Sequence, residues 1–237
     1  MPSASLAMVF SVKARSFSCP KLMIIFTLPH CCAIVNLFCM SNSPPMLLRW
    51  LLYLNERREE LLPEDLFFNY RALIQRVDQR LEEIRMQAGS HMVCRKGCDA
   101  CCRHISVFAV EAFSMAKALA VLGEEEKASI RMRAEKAGPE DPCPLLHGGL
   151  CGLYEARPVI CRTHGYPLLI QEEEEAFLDC CPLNFSGVLE KALPMSIALE
   201  PLNRMLVAVQ GMFIRESGMD LPERMTIAEA LLLPDVC

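Results

Sequence analysis

The feature that most constrains this chain is the crowding of its cysteines. Fourteen cysteines occur in 237 residues, and nine of them, from Cys94 to Cys181, fall within an 88-residue stretch. An odd number of cysteines that includes the adjacent pairs Cys101-Cys102 and Cys180-Cys181 is poorly suited to a disulfide framework. The pattern instead favours metal ligation by thiolates, and a metal-free thiol switch stays open as an alternative.

The first half of the cluster reads Cys94-x3-Cys98-x2-Cys101-Cys102. Two cysteines separated by two residues can curl around one metal, as in zinc knuckles and iron–sulfur sites, and Gly97 permits the tight turn this requires. Adjacent cysteines do not easily face one ion. Cys101 and Cys102 therefore indicate either two centres or one ligand beside a packed thiol.

The second half supplies Cys143-Pro144, Cys151, Cys161 and Cys180-Cys181. A proline after a cysteine fixes the chain that leaves an iron–sulfur cluster, whereas the Gly97 loop is typical of zinc. Both metals accept four thiolates, so the residues leave zinc against iron open. Nearby cations, Arg95 and Lys96, are expected to lower thiol pKa values.

Together these motifs resemble the YkgJ-type cysteine-cluster family. The likeness rests on the run from Cys94 to Cys102, on Cys143-Pro144-Leu145-Leu146 and on the block from Cys151 to Arg162, and it covers about residues 90–185. Members are bacterial proteins described as zinc- or iron-chelating. The resemblance implies a metal-binding protein whose cofactor is zinc or iron, with an iron–sulfur cluster as one form of the latter.

The resemblance also implies eight metal-ligand cysteines. The last is one of the pair Cys180-Cys181, and the set that we predict is Cys94, Cys98, Cys101, Cys102, Cys143, Cys151, Cys161 and Cys180. This chain has Thr163-His164-Gly165 where an aromatic residue is common, so His164 is either a further ligand or a histidine bonded to nearby loop backbone. Arg157 and Arg162 are expected to pair with Glu155 or to donate to thiolates from outside the metal shell.

An enzymatic alternative follows from the same resemblance. Some members carry iron–sulfur oxidoreductase labels, and a related group includes flagellin lysine methylases, so an iron–sulfur oxidoreductase or protein-modifying enzyme stays open. The spacing Cys94-x3-Cys98-x2-Cys101 copies that of radical S-adenosylmethionine enzymes. However, Ala100 stands where those usually have an aromatic residue, and no alternating βα pattern follows. The sequence identifies no catalytic residues, and it leaves protein partners open.

Charge divides the chain near Pro44-Pro45. Residues 1–45 hold three basic residues and no acidic one, so subtracting this +3 from the net −5 leaves −8 for residues 46–237. The front segment carries an apolar run over residues 22–40, broken by Pro29-His30. It is either a signal or membrane anchor, or sequence upstream of a true start at Met40 or Met46. We expect a cytoplasmic protein that binds metal, meets a membrane only through such an anchor, and does not bind nucleic acid because it lacks a basic face.

Outside the cysteines the pattern is helical. Apolar residues recur at spacings of three and four over residues 66–84 and 199–213, and further helices are predicted over 46–62, 110–122 and 124–136. Thr226 and Glu229 predict a capped final helix, and residues 105–107 and 168–170 read as extended. We therefore predict a mainly α protein. A non-domain leader at 1–45 precedes a single domain at 46–237, whose helices flank a loop-rich cysteine-cluster centre at 90–185.

Overall fold

The computed structural model describes residues 23–28, 31–36, 64–172 and 175–234. The chain divides into two compact units, Met1–Tyr53 and Leu54–Cys237. The helix predicted over residues 46–62 and the predicted boundary at residue 45 lie outside the described residues, so the domain assignment stays a prediction.

The first unit contains two antiparallel strands, β1 (Met23–Leu28) and β2 (Cys31–Asn36), in which Met23 lies opposite Asn36 and Leu28 opposite Cys31. β-Branched and aromatic residues, which suit strands, make up four of the six residues of β1 and two of the six of β2. Across the described part of the chain, no helix combines the length and the apolarity needed to cross a bilayer. The apolar run of the predicted leader thus includes a two-stranded sheet.

The second unit begins with a 3-10 turn, Glu64–Phe67, that leads into α1 (Phe68–Ala88). This helix buries the predicted apolar stripe, whose members are Tyr70, Leu73, Val77, Leu81 and Ile84. It ends at Gly89, whose φ of 53° is readily adopted only by glycine. The 3-10 turn Gly89–His91 follows and leads into the segment that carries the first cysteines.

Three elements follow along the chain: β3 (Ser106–Phe108), α2 (Ala109–Ala120) and α3 (Glu124–Lys136). The predicted helices over 110–122 and 124–136 are confirmed to within two residues. A short hairpin, β4 (Leu146–His147) and β5 (Leu150–Cys151), follows, and then a 3-10 turn, Tyr154–Ala156, and α4 (Val159–Thr163).

The remaining chain builds a small sheet and two helices. Strands β6 (Leu168–Glu172), β7 (Glu175–Asp179) and β8 (Ile197–Ala198) form a sheet in the order β7-β6-β8, in which β7 runs antiparallel and β8 parallel to β6. After them come α5 (Leu199–Ser217), β9 (Arg224–Thr226), which pairs with β3, and α6 (Ile227–Leu231). The Thr226–Glu229 capping box that the sequence predicted is present.

The core lies where α1, α2, α5 and α6 meet. The Phe213 ring of α5 packs against Phe67 and Phe113, with centroid separations of 5.5 and 5.7 Å. Side chains from α2 and α6, such as Val110 and Leu231, are fully buried around them. The prediction of a mainly α fold is confirmed, and the cysteine-bearing loops are supported on this helical core.

Candidate metal centre

Loops and short elements carry all nine clustered cysteines. Cys94, Cys98, Cys101 and Cys102 lie between the turn at His91 and β3, Cys143 follows α3, Cys151 ends β5, Cys161 is in α4, and Cys180 and Cys181 follow β7. Each of the nine is a free thiol. Cys143 is buried, Cys98 and Cys101 are exposed, and the other six are partly buried.

One group of thiols surrounds Cys94. Burial is the largest cause that raises the Cys94 pKa, and three neighbouring thiolates raise it further: Cys181, Cys98 and Cys101. The pKa of Cys101 is likewise raised first by burial and then by the charges of Cys102, Cys98 and Cys181. Such effects require short distances, so these four residues form a cluster.

A second group surrounds Cys161. Burial raises the pKa of Cys161 to about 12, with further contributions from Cys143, Cys151 and Cys102. Burial also raises the pKa of Cys143 to about 11, and the charges of Cys151 and Cys102 add to it. The Cys102 pKa is raised by burial first and by Cys151 second. The thiols thus group around Cys94 and around Cys161, and the adjacent residues Cys101 and Cys102 connect the two groups.

Backbone pairing brings the second group together. The Cys143 N–H donates to the Cys102 carbonyl at 3.4 Å, and Arg103 forms a β-bridge with Pro142. In the β4–β5 hairpin, Cys151 lies opposite Leu146, three residues beyond Cys143. These contacts explain how residues almost fifty positions apart in the sequence reach one place.

Asn184 organises the first group, and the sequence analysis missed it. This side chain is 2% exposed, and its Oδ1 accepts from the backbone N–H groups of Val93 and Cys94 at 2.8 and 3.3 Å. Its Nδ2 donates to the Gly165 carbonyl at 2.6 Å and to the Cys94 Sγ at 3.2 Å. A polar residue three positions after Cys181 was the only sequence signal for this role.

Gly165 occupies a position that only glycine fits. Its φ is 91°, and a Cβ added there would lie 2.9 Å from the Cys94 Sγ and 3.4 Å from the Cys181 Cβ. Such a Cβ could not be placed without displacing the Cys94 sulfur. The glycine therefore allows the chain after α4 to pass directly beside the first cysteine group.

The pair Cys180-Cys181 lies against the same glycine. The Cys180 Sγ donates to the Gly165 carbonyl at 3.2 Å, while the Cys181 backbone N–H approaches that carbonyl at 3.4 Å. Burial raises the pKa of Cys180 to about 11, and the charges of Cys181 and Cys94 contribute. Both members of the pair are therefore close enough to Cys94 to be considered as ligands.

Arg162 has a different role from the one that the sequence suggested. It is 7% exposed, and its Nη1 donates to both carboxylate oxygens of Asp78 on α1 at 2.8 and 2.7 Å. Its other donors reach the carbonyls of Arg157 and Glu155. Within the described residues, none of these donors is directed at a thiol, so Arg162 fixes the Glu155–Arg162 loop onto α1.

Arg157 and Lys96 do act on the thiols. The Arg157 guanidinium lies 3.6 Å from the Tyr154 ring centroid, and the Lys96 Nζ lies 5.2 Å from it. Burial raises the pKa of Cys151, and both of these cations oppose that rise. The predicted pairing of Arg157 with Glu155 is replaced by a hydrogen bond from the Arg157 Nε to the Tyr154 carbonyl at 2.7 Å.

Glu111 is a second residue that the sequence analysis missed. It is 2% exposed, and its carboxylate accepts from Phe108 N–H at 3.0 Å and from Val159 N–H, at the start of α4, at 2.9 Å. Burial raises its pKa. The Glu111 side chain therefore ties α4, which carries Cys161, to the well-packed helix α2. His164 is exposed, and its backbone N–H donates to Ile160.

The donor chemistry suits a thiophilic cation. Over the ranges 64–172 and 175–234, no three His, Cys, Asp or Glu side chains are arranged at coordination distances. Each of the two neighbourhoods nevertheless gathers four or more sulfurs whose mutual repulsion as thiolates raises several of their pKa values. A divalent ion would offset this repulsion, and four thiolates are a complete donor set for zinc or iron.

Comparison with known families supports this chemistry. Residues 93–182 match the model of the CxxCxxCC family, described as "Putative zinc- or iron-chelating domain". Neither the curated proteins nor the solved structures contain a significant match to the chain. The matched segment spans all nine clustered cysteines and agrees with the predicted coverage of about 90–185. Residues 93–182 are therefore similar to the zinc- or iron-chelating cysteine-cluster family that the sequence resembles.

Proposed function

We propose that this protein binds two zinc or iron centres, each held by four thiolates. The outer site comprises Cys94, Cys98, Cys101 and Cys181, and the inner site comprises Cys102, Cys143, Cys151 and Cys161. The observation that carries the proposal is the grouping of the thiols around Cys94 and around Cys161, with the adjacent residues Cys101 and Cys102 where the two groups meet. Adjacent residues in turn conformations direct their side chains apart, which suits ligation of two different centres.

Cys181 is a better candidate than Cys180 for the fourth outer ligand. The Cys181 charge acts on both Cys94 and Cys101, whereas the Cys180 Sγ is engaged with the Gly165 carbonyl. Cys180, the member of the pair in the predicted set, is then a neighbouring thiol that does not bind the metal. The variants Cys180→Ser and Cys181→Ser separate these roles, and we expect only the second to lose metal from the outer site.

The chain's own residues would hold the thiolates in place. The Asn184 amide donates to the Cys94 sulfur, which favours its anionic form. Arg157 and Lys96 offset negative charge at Cys151. Bound zinc would stabilise the fold, and a bound iron–sulfur cluster would in addition supply one-electron redox chemistry.

Anaerobic purification followed by metal analysis and a visible spectrum tests the proposal. We expect two equivalents of zinc in a colourless protein, or iron with a broad absorption band near about 400 nm. Cys101→Ser and Cys102→Ser should each lower the metal content by one centre, because each removes a ligand from a different site. A metal-free protein with all its thiols intact would contradict the proposal.

An iron–sulfur oxidoreductase or protein-modifying enzyme is the alternative function. The observation that favours it is a cavity of about 490 Å³ beside Cys94, lined by Arg85, Met86, Gly89, Met92, Val93, Cys94 and Arg95. A cluster at the outer site would be reachable from this cavity. Iron with acid-labile sulfide in the purified protein would favour the enzyme, and zinc alone would exclude it.

We also propose that the working protein is a cytoplasmic domain over residues 46–237. Nine free thiols fit a reducing compartment. Mass spectrometry of the native N-terminus tests the leader: a mature chain that starts at Met40 or Met46 supports this assignment. A peptide covering residues 10–40 would contradict such a start.

A further inference from the structure

We infer that the two sites have different tasks: the outer site takes up and releases its metal, while the inner site retains its metal as part of the fold. The inference rests on the proposed two-site function and adds to it a difference in exchange rate. It assigns to the outer site the reversible handling of a thiophilic divalent cation.

The two sets of ligands differ first in exposure. Cys98 and Cys101 of the outer site are exposed to solvent. In the inner site, Cys143 is 8% exposed and is followed by Leu145 at 3%, and Leu153, two residues after Cys151, is 4% exposed. The remaining ligands of both sites are partly buried. A chelator can therefore reach two ligands of the outer site directly, whereas no ligand of the inner site is exposed.

The two sets also differ in how firmly their backbones are attached. The inner ligands Cys151 and Cys161 sit on segments that pack against helices: a Cβ on Gly152 would lie 3.0 Å from the Ile130 Cδ1 of α3, and α4 is bonded to α2 through Glu111. The outer ligands Cys98 and Cys101 sit on a segment that is shaped by local turns, in which the Cys98 N–H donates to the Arg95 carbonyl and the Cys102 N–H to the Asp99 carbonyl. This segment meets the inner site only at its end, where the Cys102 carbonyl accepts from the Cys143 N–H.

The outer site also has an approach route. Cys94 lines the cavity of about 490 Å³, and so do two methionines, Met92 and the 75% exposed Met86. Arg95 is exposed at this cavity, so the route suits a metal that arrives bound to a small anionic chelator. Thioethers are soft donors that favour passage of the same metals that thiolates bind.

Release kinetics from the full-length zinc-loaded protein test the inference. Excess 4-(2-pyridylazo)resorcinol is added anaerobically, and the coloured zinc complex is followed with time. We expect one equivalent to leave at least about tenfold faster than the other, since only the second must await opening of packed structure. Cys98→Ser should abolish the fast phase and leave the slow phase and the helical circular dichroism unchanged.

A second measurement covers the case in which inner-site variants such as Cys143→Ser do not fold. Native mass spectrometry of the unmodified protein, incubated with an isotopically enriched zinc salt, should show one of two zinc ions exchanged at early times. Two equivalents that leave or exchange at a single rate would overturn the inference while the two-site function stands. Fewer than two equivalents in a protein with intact thiols would overturn the proposed function itself.

Discussion

Asn184 joins three segments through one side chain, since it contacts Val93 and Cys94, approaches Gly165 and follows Cys181. Asn184→Asp keeps the oxygen that accepts from two backbone N–H groups but loses both donated hydrogen bonds. It also places a negative charge beside the Cys94 sulfur. We expect the outer site's zinc affinity to fall about 10- to 100-fold, as is usual when a residue supporting a metal ligand is changed.

Competition with a chromophoric chelator measures this effect. Asn203→Asp is the matched control because Asn203 is an exposed asparagine on α5, and its replacement should leave both affinities unchanged. Equal zinc affinity in the Asn184→Asp variant and the unmodified protein would show that the amide does not support the site.

Gly165→Ala tests the close approach of backbone and sulfur. The new Cβ would lie 2.9 Å from the Cys94 Sγ, so we expect the outer site to lose its metal while the inner site keeps its own. Gly187→Ala is the control, since Gly187 also has a positive φ, 73°, but has nothing within 4 Å of the added Cβ. Mass spectrometry measures the metal content of both variants. An equal loss of metal from the two would show that backbone strain, and not the contact with the Cys94 sulfur, is responsible.

At the residue scale, the cysteines could be found from the sequence because their spacing and chemistry are visible locally. Asn184 and Glu111 could not, because the groups that they contact, Cys94 and Val159, lie 90 and 48 positions away. The role of Arg162 was misjudged for the same reason, since its acceptor Asp78 comes from α1. Residues that support a site from outside are thus set by tertiary packing.

At the scale of elements, the ion pair between Arg162 and Asp78 fastens the Cys161-bearing segment to α1. Asp78→Ala would leave a guanidinium that is 7% exposed without its carboxylate. We expect the free energy of unfolding to fall by about 2 kcal/mol, because a mostly buried charge loses its partner. The urea midpoint of the metal-loaded protein measures this loss.

Glu83→Ala provides the comparison for that prediction. Its partner is Arg80 on the same helix, and the two side chains are 49% and 38% exposed. An exposed pair of this kind contributes less than about 0.5 kcal/mol. Equal destabilisation by the two substitutions would contradict the anchoring role of Asp78.

The long helices were predictable, and the short elements were not. The apolar stripes of α1 and α5 repeat over several turns, so their periodicity identifies them. Strand β7 was missed because four of its five residues are exposed, which leaves no hydrophobic alternation to detect. The five residues of α4 are held by contacts from Glu111 and Asp78, which no local pattern encodes.

At the scale of the whole molecule, the raised thiol pKa values give opposite pH dependences with and without metal. In the metal-free fold, Cys143 and Cys161 have pKa values of about 11 and about 12, against an ordinary 9.0. The folded state therefore holds more protons than the unfolded state above pH 9. The stabilisation that these two protonated thiols contribute is fully present below about pH 9 and is lost as pH rises through their folded pKa values.

Metal binding reverses the sign, because thiols must lose their protons to become ligands. We expect zinc affinity to fall as pH is lowered, by up to about tenfold per pH unit for each proton displaced. Urea unfolding of the metal-free protein at about pH 7, 9 and 10.5 tests the first dependence, because these values span the ordinary thiol pKa. Zinc competition at about pH 6.5 and 7.5 tests the second, because thiols are mostly protonated at both values. A pH-independent zinc affinity would exclude thiolate ligation.

Metal removal should affect the two parts of the second unit unequally. The aromatic cluster of Phe67, Phe113 and Phe213 contains no cysteine, whereas the cysteine-bearing segments 93–105 and 138–182 consist of loops and short elements. Chelation under reducing conditions should therefore leave most helical circular dichroism intact while limited proteolysis begins within those two segments. Complete loss of the helical signal would show instead that the metal holds the entire unit together.

The free, mostly protonated thiols have a consequence for the charge of the molecule. Filling two four-cysteine sites would release eight protons and bring in four positive charges from two divalent ions. The formal charge of the chain would then change from −5 to −9, so that uptake of cations makes the protein more anionic. The loaded form would migrate faster toward an anode than the empty form and would be repelled more strongly by acidic surfaces.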